Sequence, residues 1–309
     1  MKKNIFVLLA LVGLPLSLAL AVTQTNLSDL TTTVVDAGSS KLNDAMHKSS
    51  MPEWLQRTDL GITLQQKNKP EFELESIQPF WKDQLRTLFW QGRVAYKGND
   101  TTLNFGTGYR YLTQNQNWMF GGNVFVDEAM RYAHRRVGFG AEIFQKYGVL
   151  RGNYYLAITG QKNISVDSSV TTYEKALSGY DYSLETPLPY LPWMRLILTG
   201  YHWDGYLKTN INGGEASLRM DPLSNLELTL GSGKETGTGW RAFLNASWYL
   251  DRPAFIEYRM SDQLFSQTAF TAADLSKHRL EKVRRHNDVV VERGTISGSA
   301  GTFIIKRGT

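Results

Sequence analysis

The sequence predicts an all-β protein: a twelve-stranded antiparallel transmembrane β-barrel of the outer membrane, preceded by a short helix. Three observations predict it. Segments in which apolar and polar residues alternate follow one another from residue 59 to residue 250, and this period of two indicates strands. Aromatic residues make up 12% of the 309 residues, beside 27 Gly and no Cys, which suits a barrel with aromatic side chains at both membrane interfaces. The chain also begins with a secretory signal pattern.

The first 21 residues are predicted to be a cleaved signal peptide. Lys2 and Lys3 form a positive segment, residues 5–18 are apolar, and residues 19–21 resemble an A-x-A cleavage site. The alternative is a transmembrane anchor, which needs about twenty apolar residues. No later stretch has that length and apolarity, so we expect the mature chain to pass through the periplasm and to span the outer membrane with strands.

Composition excludes several classes of function. The net charge is +5, and the basic residues are scattered, whereas nucleic-acid binding needs a concentrated basic patch. The absence of Cys excludes a disulfide framework, a thiol nucleophile and a thiolate metal site. Residues 231–239, GSGKETGTG, lack the spacing of a phosphate-binding loop. We therefore expect no cofactor, no metal and no nucleic acid.

Residues 22–57 are predicted to be a periplasmic lead-in. Leu42, Ala45 and Met46 share one face of a weakly amphipathic helix that extends to about Ser50, and Pro52 interrupts it. The alternative for this region is a surface linker.

Residues 58–250 are predicted to form the barrel. Each strand is recognised by apolar residues at every second position, between turns that contain Gly, Pro, Asn or Asp. In chain order, the apolar sets are Leu60, Ile62 and Leu64; Phe72 and Leu74; Leu88, Trp90, Val94 and Tyr96; Leu103, Phe105, Tyr109 and Tyr111; Trp118, Phe120, Val124 and Val126; Val137, Phe139, Ala141 and Ile143; Leu150, Tyr154, Leu156 and Ile158; Tyr180, Tyr182 and Leu184; Met194, Leu196 and Leu198; Ala216, Leu218 and Met220; Leu226, Leu228 and Leu230; and Trp240, Ala242, Leu244, Ala246 and Trp248.

The predicted connections alternate between longer polar loops and short turns. We expect loops at residues 127–135, 161–172, 202–214 and 231–239, and a connection at residues 78–85. The stretch from Tyr173 to Trp193 alternates until it reaches Pro187, Pro189 and Pro192, which cannot continue a central strand. Long loops at one end and short turns at the other are typical of outer-membrane barrels.

Charged residues occupy the other face of the predicted strands. A soluble sandwich would also put its charges on one face, but the signal peptide, the even strand count and the tryptophans at strand ends favour a barrel with its charges in the lumen. Buried charges of both signs are expected to pair there. The candidate lumen-facing residues are Arg93, Arg110, Asp127, Glu142, Arg151, Asp181, Glu185, Arg195, Arg219, Glu227 and Arg241.

Several short motifs resemble the translocator domain of intimin and invasin, the inverse autotransporters. They are HRRVGFGAE at residues 134–142, GNYY at 152–155, the stretch from Tyr173-Glu174 through GYD at 179–181 to Pro192, and NDVVVER at 287–293. Trp54-Leu55 matches the pre-barrel helix of that family. The resemblance covers residues 42–293. It implies a twelve-stranded barrel with a periplasmic N-terminus, and assembly by the barrel-assembly machinery and periplasmic chaperones.

The resemblance also implies that residues 251–286 are a linker that threads the lumen and exports a C-terminal passenger. Arg279, Lys282, Arg284 and Arg285 are then available to pair with lumen acids such as Glu142, Glu185 and Glu227; the alternative is a solvated tail. Residues 287–309 are expected to form a strand or hairpin. We expect no peptidoglycan-binding module before the barrel and almost no passenger after it, so adhesion, and any host or cell-surface partner, cannot be carried over.

Three functions are weighed. The favoured one is a type V secretion translocator and anchor that displays its C-terminal segment, without enzymatic activity. The alternative is a structural or plugged, pore-like barrel. An enzyme at the barrel rim is less favoured: His202 and Asp204 lie two positions apart, which on a strand would put both on one face, but a surface loop with polar and aromatic residues is the favoured interpretation.

Overall fold

The computed structural model describes residues 53–66, 68–167, 170–207 and 209–297. The predicted signal peptide and the predicted helix up to Ser50 lie outside the described residues. A 3-10 turn at Leu55–Arg57 precedes the first strand. The strands are β1 (Thr58–Gln65), β2 (Glu71–Lys82), β3 (Arg86–Lys97), β4 (Asp100–Leu112), β5 (Trp118–Ala129), β6 (His134–Gln145), β7 (Gly148–Ala157), β8 (Lys162–Asp167), β9 (Val170–Ala176), β10 (Gly179–Leu188), β11 (Leu191–Trp203), β12 (Ile211–Leu223), β13 (Leu226–Glu235), β14 (Arg241–Tyr249) and β15 (Val291–Ser297).

Twelve of these strands close into an antiparallel barrel, which confirms the predicted fold class. Neighbours in the barrel follow chain order, except that β7 pairs directly with β10. The barrel closes where β1 pairs with β14, with Leu60 opposite Trp248. Among the residues that the structure describes, no helix is long and apolar enough to cross a membrane.

The barrel is apolar outside and charged inside. Tyr182 is 58% exposed on the outer face of β10, whereas Asp181 and Glu185 of the same strand are buried. Tyr182 lies opposite Gly152 and Gly200, so the neighbouring backbones leave room for its ring. This arrangement needs an apolar solvent around the barrel, because so many exposed aromatic and aliphatic side chains would be unfavourable in water.

Two ends of the barrel are distinguished by their connections. The near end carries the start of β1, the end of β14 and the short turns at residues 83–85, 113–117, 146–147, 189–190 and 224–225. The far end carries the connections at residues 98–99, 130–133, 204–210 and 236–240, and the long excursion from β7 to β10.

Several predicted loops are shorter than expected because the strands extend into them. The connection predicted at residues 78–85 is wrong: β2 continues to Lys82 through an irregularity between Pro79 and Trp81. A strand tolerates proline at such a bulge, where the ladder lacks a hydrogen bond. In the same way β5, β11 and β13 reach Ala129, Trp203 and Glu235, each inside a segment predicted as a loop.

The predicted loop at residues 161–172 is also wrong, since it contains β8 and the start of β9. These two strands form a separate sheet with β15, in the order β15-β9-β8. Tyr173 therefore belongs to this sheet, and the barrel resumes only at Gly179. A Cβ on Gly179 would lie 2.1 Å from the His202 carbonyl oxygen, so the return to the barrel requires glycine at this close approach.

Candidate functional site: the lumen and its linker

The chain crosses the near end of the barrel after β14 and then runs through the lumen. We call residues 251–273 the rim segment and residues 274–290 the lumen linker. The rim segment forms backbone hydrogen bonds with successive near-end turns, from Met260 N to Asp221 O (3.0 Å), from Ser266 N to Tyr190 O (2.9 Å) and from Ala273 N to Lys146 O (2.9 Å). It therefore follows the mouth of the barrel.

Three small apolar clusters mark the path of the lumen linker. Leu275 packs with Leu112, Met119, Phe144 and Val149 close to the near end. Val283 packs with Ile77, Phe89 and Phe125 farther along the lumen. Val289 packs with Ala129 and Ala176 at the far end. The linker thus passes from one end of the barrel to the other and continues into β15.

All the candidate lumen-facing charges lie on the inner side of the barrel wall. Arg195 and Arg241 keep some exposure, with side chains 15% and 18% accessible. The others are buried: Arg93, Arg110, Asp127, Glu142, Arg151, Asp181, Glu185, Arg219 and Glu227. The part that they play in export stays a prediction.

Asp127 holds the far half of the linker. Arg285 Nη1 and Nη2 donate to its two carboxylate oxygens at 2.7 and 2.6 Å, and Arg136 Nε donates to Oδ2 at 2.7 Å. Asn104 Nδ2 adds a fourth hydrogen bond at 2.7 Å. The Arg285 guanidinium also lies over the Phe125 ring, 4.5 Å from its centroid. Such two-pronged, charge-assisted contacts fix both the position and the orientation of the linker.

Carboxylates and guanidiniums alternate around the middle of the linker. Glu281 of the linker lies 3.3 Å from both Arg151 and Arg219 of the wall. Those two arginines also contact Glu185, at 2.8 and 3.0 Å. Each buried charge in this cluster has a partner of opposite sign, which offsets the cost of removing it from water.

Three of the four linker charges contact carboxylates on the inner side of the barrel. Arg284 Nη2 lies 3.0 Å from both carboxylate oxygens of Glu227. Arg285 contacts Asp127, another of the candidate lumen-facing acids, and Lys282 contacts Asp59 and Glu75.

Arg279 is the exception, because it binds backbone carbonyl groups instead of acids. It donates to the carbonyl oxygens of Asp83 (2.6 Å), Gln84 (3.1 Å) and Arg86, and to the Thr87 hydroxyl at 2.9 Å. The chain reversal between β2 and β3 turns these carbonyl groups toward the mouth of the barrel. They are acceptors that no charge pattern in the sequence could reveal.

A clamp at the far end holds β15, and sequence reasoning had assigned it no role. Arg293 Nε donates to Glu174 at 2.8 Å, and His134 Nε2 lies 3.3 Å from the same carboxylate. Burial raises the pKa of Glu174, but hydrogen bonds and charge from His134 and Arg293 outweigh it and hold the pKa below its ordinary value. The sequence signal that could have indicated this contact is the opposite charge of Glu174 and Arg293, which lie in two motifs that resemble the family.

Glu292, the residue before Arg293, fastens β15 to the connection between β11 and β12. The Glu292 carboxylate accepts hydrogen bonds from the backbone N–H groups of Tyr206 (2.8 Å) and Leu207 (3.0 Å), and from the Tyr173 hydroxyl (3.2 Å). The start of the C-terminal segment is thus fixed to two separate parts of the far end.

The lumen linker leaves part of the lumen unfilled. A cavity of about 400 Å³ remains between the linker and the wall around β11–β14, β1 and β2. Polar groups line it, among them Glu73, Glu215, Thr229 and Asn245. The linker therefore occupies only part of the lumen.

His202 and Asp204 do meet at the far rim, but they form no hydrolytic arrangement. His202 Nε2 lies 3.2 Å from Asp204 Oδ1, and its Nδ1 lies 2.7 Å from Asn212 Oδ1. The imidazole stacks on the Tyr180 ring at 5.2 Å. Both ring nitrogens thus face amide or carboxylate oxygens rather than a hydroxyl nucleophile. In the described ranges no group of three or more His, Asp or Glu could hold a metal ion.

The sequence of this chain is similar to those of known proteins. Residues 17–287 match the family model described as inverse autotransporter, beta-domain. The chain is 26% identical over 259 residues to the inverse autotransporter adhesin YeeJ of Escherichia coli K12, and 25% identical over 257 residues to intimin of Escherichia coli O111:H-. Each alignment covers 79% of this chain, but only 11% of YeeJ and 26% of intimin.

A solved structure has the same fold. It comes from work on the in-meso crystallization of membrane proteins, and it superposes with a TM-score of 0.62 at 20% identity. The match covers 77% of this chain and 99% of the other. At this identity the likeness shows the fold alone.

Proposed function

We propose, because this chain belongs to the inverse autotransporter β-domain family and is an outer-membrane barrel, that it exports and displays its own C-terminal segment. The observation that carries the proposal is the course of the lumen linker, which runs from the near end through the lumen into β15 at the far end. In this proposal the near end faces the periplasm and the far end faces the cell exterior. The role is that of a translocator and anchor, without catalysis.

The buried ion pairs suit an anchor better than a moving chain. Asp127 and Glu227 bind Arg285 and Arg284 of the linker. Glu281 of the linker lies between Arg151 and Arg219 of the wall. Withdrawing the linker would remove an oppositely charged partner from each of these buried wall groups. We infer that the linker moves during assembly, and that the ion pairs then hold it in place while the segment beyond Arg293 is displayed.

Assembly is proposed to need periplasmic chaperones and the barrel-assembly machinery. The outer face exposes a continuous set of apolar side chains, which would associate nonspecifically in the aqueous periplasm before insertion. Outer-membrane lipid then surrounds this face.

Surface accessibility of the C-terminus tests the proposal. A peptide tag after Thr309 is expected to be cleaved by protease added to intact cells. A tag at Asn210 in the far-end connection should behave in the same way, whereas a tag at Asn115 in a near-end turn should be protected until the outer membrane is opened. A C-terminal tag that follows the Asn115 pattern would contradict export.

A plugged barrel without an export role is the second candidate, because the presence of the linker in the lumen favours it as well. It differs in the fate of the C-terminal tag, which would stay on the periplasmic side. The same three tags therefore separate the two candidates.

A further inference from the structure

The rim segment carries large apolar side chains that no part of the described chain covers. Met260, Leu264, Phe265 and Phe270 are 44%, 50%, 65% and 49% exposed. Residues 263–273, QLFSQTAFTAA, contain no charged residue. An uncharged stretch with exposed aromatic side chains marks an interaction surface rather than an ordinary solvated loop.

The backbone of this stretch is held firmly in place. Tyr190 accepts a hydrogen bond from Ser266 N (2.9 Å) and donates one to Ala269 O (2.7 Å). Trp193 Nε1 donates to Leu264 O at 3.0 Å. The exposed side chains therefore sit at a defined height, beside the turn that joins β10 to β11.

The exposed part of the rim segment is continuous with the exposed aromatic residues of the near end. These include Trp81, Trp118, Tyr147, Tyr190 and Trp248. Interfacial aromatic side chains normally line both boundaries of a membrane barrel. Ser266 and Ala269 bond directly to the backbone of Tyr190, so the apolar side chains of the rim segment lie beside this aromatic set.

We propose that the rim segment is an interfacial membrane anchor, in which Leu264, Phe265 and Phe270 enter the boundary between phospholipid headgroups and acyl chains at the near end. We favour lipid over a protein partner because the rim segment continues the lipid-facing surface of the barrel. The irregular backbone of the segment agrees with this depth, since water remains available there for its polar groups, whereas the hydrocarbon interior would leave them unsatisfied.

The absence of Cys allows a direct measurement of depth. Single substitutions Phe265→Cys and Phe270→Cys are spin-labelled, and each variant is placed as a single copy in phosphatidylcholine nanodiscs. Collision with oxygen, which concentrates in lipid, is compared with collision with a water-soluble nickel chelate. Tyr182→Cys on the outer barrel face is the lipid reference, and Asp204→Cys in the exposed far-end connection is the water reference.

We expect the oxygen-to-nickel ratio at positions 265 and 270 to exceed that at position 204 several-fold and to approach that at position 182. Labels at 265 and 270 that are as accessible to nickel as position 204 would overturn the proposal, and would leave a protein partner or plain solvent as the environment of the patch.

In a second measurement the label is placed on neither phenylalanine. A label at Gln267→Cys, between them, is expected to be immobilised in nanodiscs and to become more mobile when Phe265→Ser and Phe270→Ser are added. The matched control is Thr271→Ser, which keeps a hydroxyl beside Ser266 Oγ and leaves the apolar side chains intact. Equal mobility of the label in all three backgrounds would count against the anchor.

Discussion

Asp127 shows how single residues hold the linker. It is buried and accepts hydrogen bonds from Arg285 of the linker and from Arg136 of the wall. Its sequence neighbour Glu128 lies on the outer face and pairs with the exposed Arg135. The two adjacent carboxylates thus provide an internal comparison between a buried ion pair and a surface one.

We predict that Asp127→Asn lowers the free energy of unfolding by about 3–5 kcal/mol, because two buried guanidiniums lose their carboxylate partner. Glu128→Gln is expected to leave stability nearly unchanged, since exposed pairs contribute little. The temperature at which the folded band converts to the unfolded band in detergent gels measures both variants. Equal conversion temperatures would show that the buried pair contributes no more than the surface one.

At the scale of elements, β15 is held by side chains as well as by its ladder with β9. Val291 pairs with Ala176 and Gly294 with Tyr173, while Glu174 binds Arg293 from the neighbouring strand. Because the pKa of Glu174 is lowered in the folded chain, its ionised form stabilises this docking. The contribution is fully present above the ordinary Glu value of 4.5 and is lost as the pH falls through the lowered pKa.

We therefore predict that β15 loosens under acid conditions. A spin label at Thr295→Cys should be immobilised at pH 7 and should become more mobile at a pH well below 4.5, once the pH has fallen through the lowered pKa of Glu174 and the carboxylate is protonated. In a Glu174→Gln background the label should already be more mobile at pH 7, and it should change less with pH. A label whose mobility is the same at both pH values in the unmodified background would contradict this role for Glu174.

At the scale of the whole molecule, the linker of the same chain obstructs the lumen of the barrel. The lumen linker occupies part of the lumen and leaves a polar cavity of about 400 Å³. The wall by itself carries many buried charges of both signs, so an emptied lumen would fill with water and ions.

Removal of the linker is expected to open a conducting path. We predict that protein lacking residues 274–309 passes larger currents in planar bilayers than the full chain does. Protein lacking only residues 298–309 keeps the linker and should pass currents as small as those of the full chain. Equal currents from all three proteins would mean that the linker does not obstruct the lumen.

Features that depend on neighbouring residues in the sequence were predicted correctly, whereas contacts between distant residues were not. The outward position of Tyr182 and the inward position of Asp181 follow from alternation within one strand, a local property. The partners of Lys282 and Arg279 do not, since Asp59 and Thr87 lie more than 190 residues away along the chain. The same holds for β9, whose strand signal was merged with β10 because its partner, β15, is distant in sequence.

The sequence alone determined the strands, the direction in which each face points and the family, because alternation and short motifs are written in neighbouring residues. Only the tertiary structure decided the rest: that β8, β9 and β15 leave the barrel to form their own sheet, that Arg285 chooses Asp127, and that Phe265 and Phe270 lie along the near-end rim. These outcomes depend on strand register and on the path of the linker through a closed barrel. Both are set by contacts between distant residues, which no local pattern specifies.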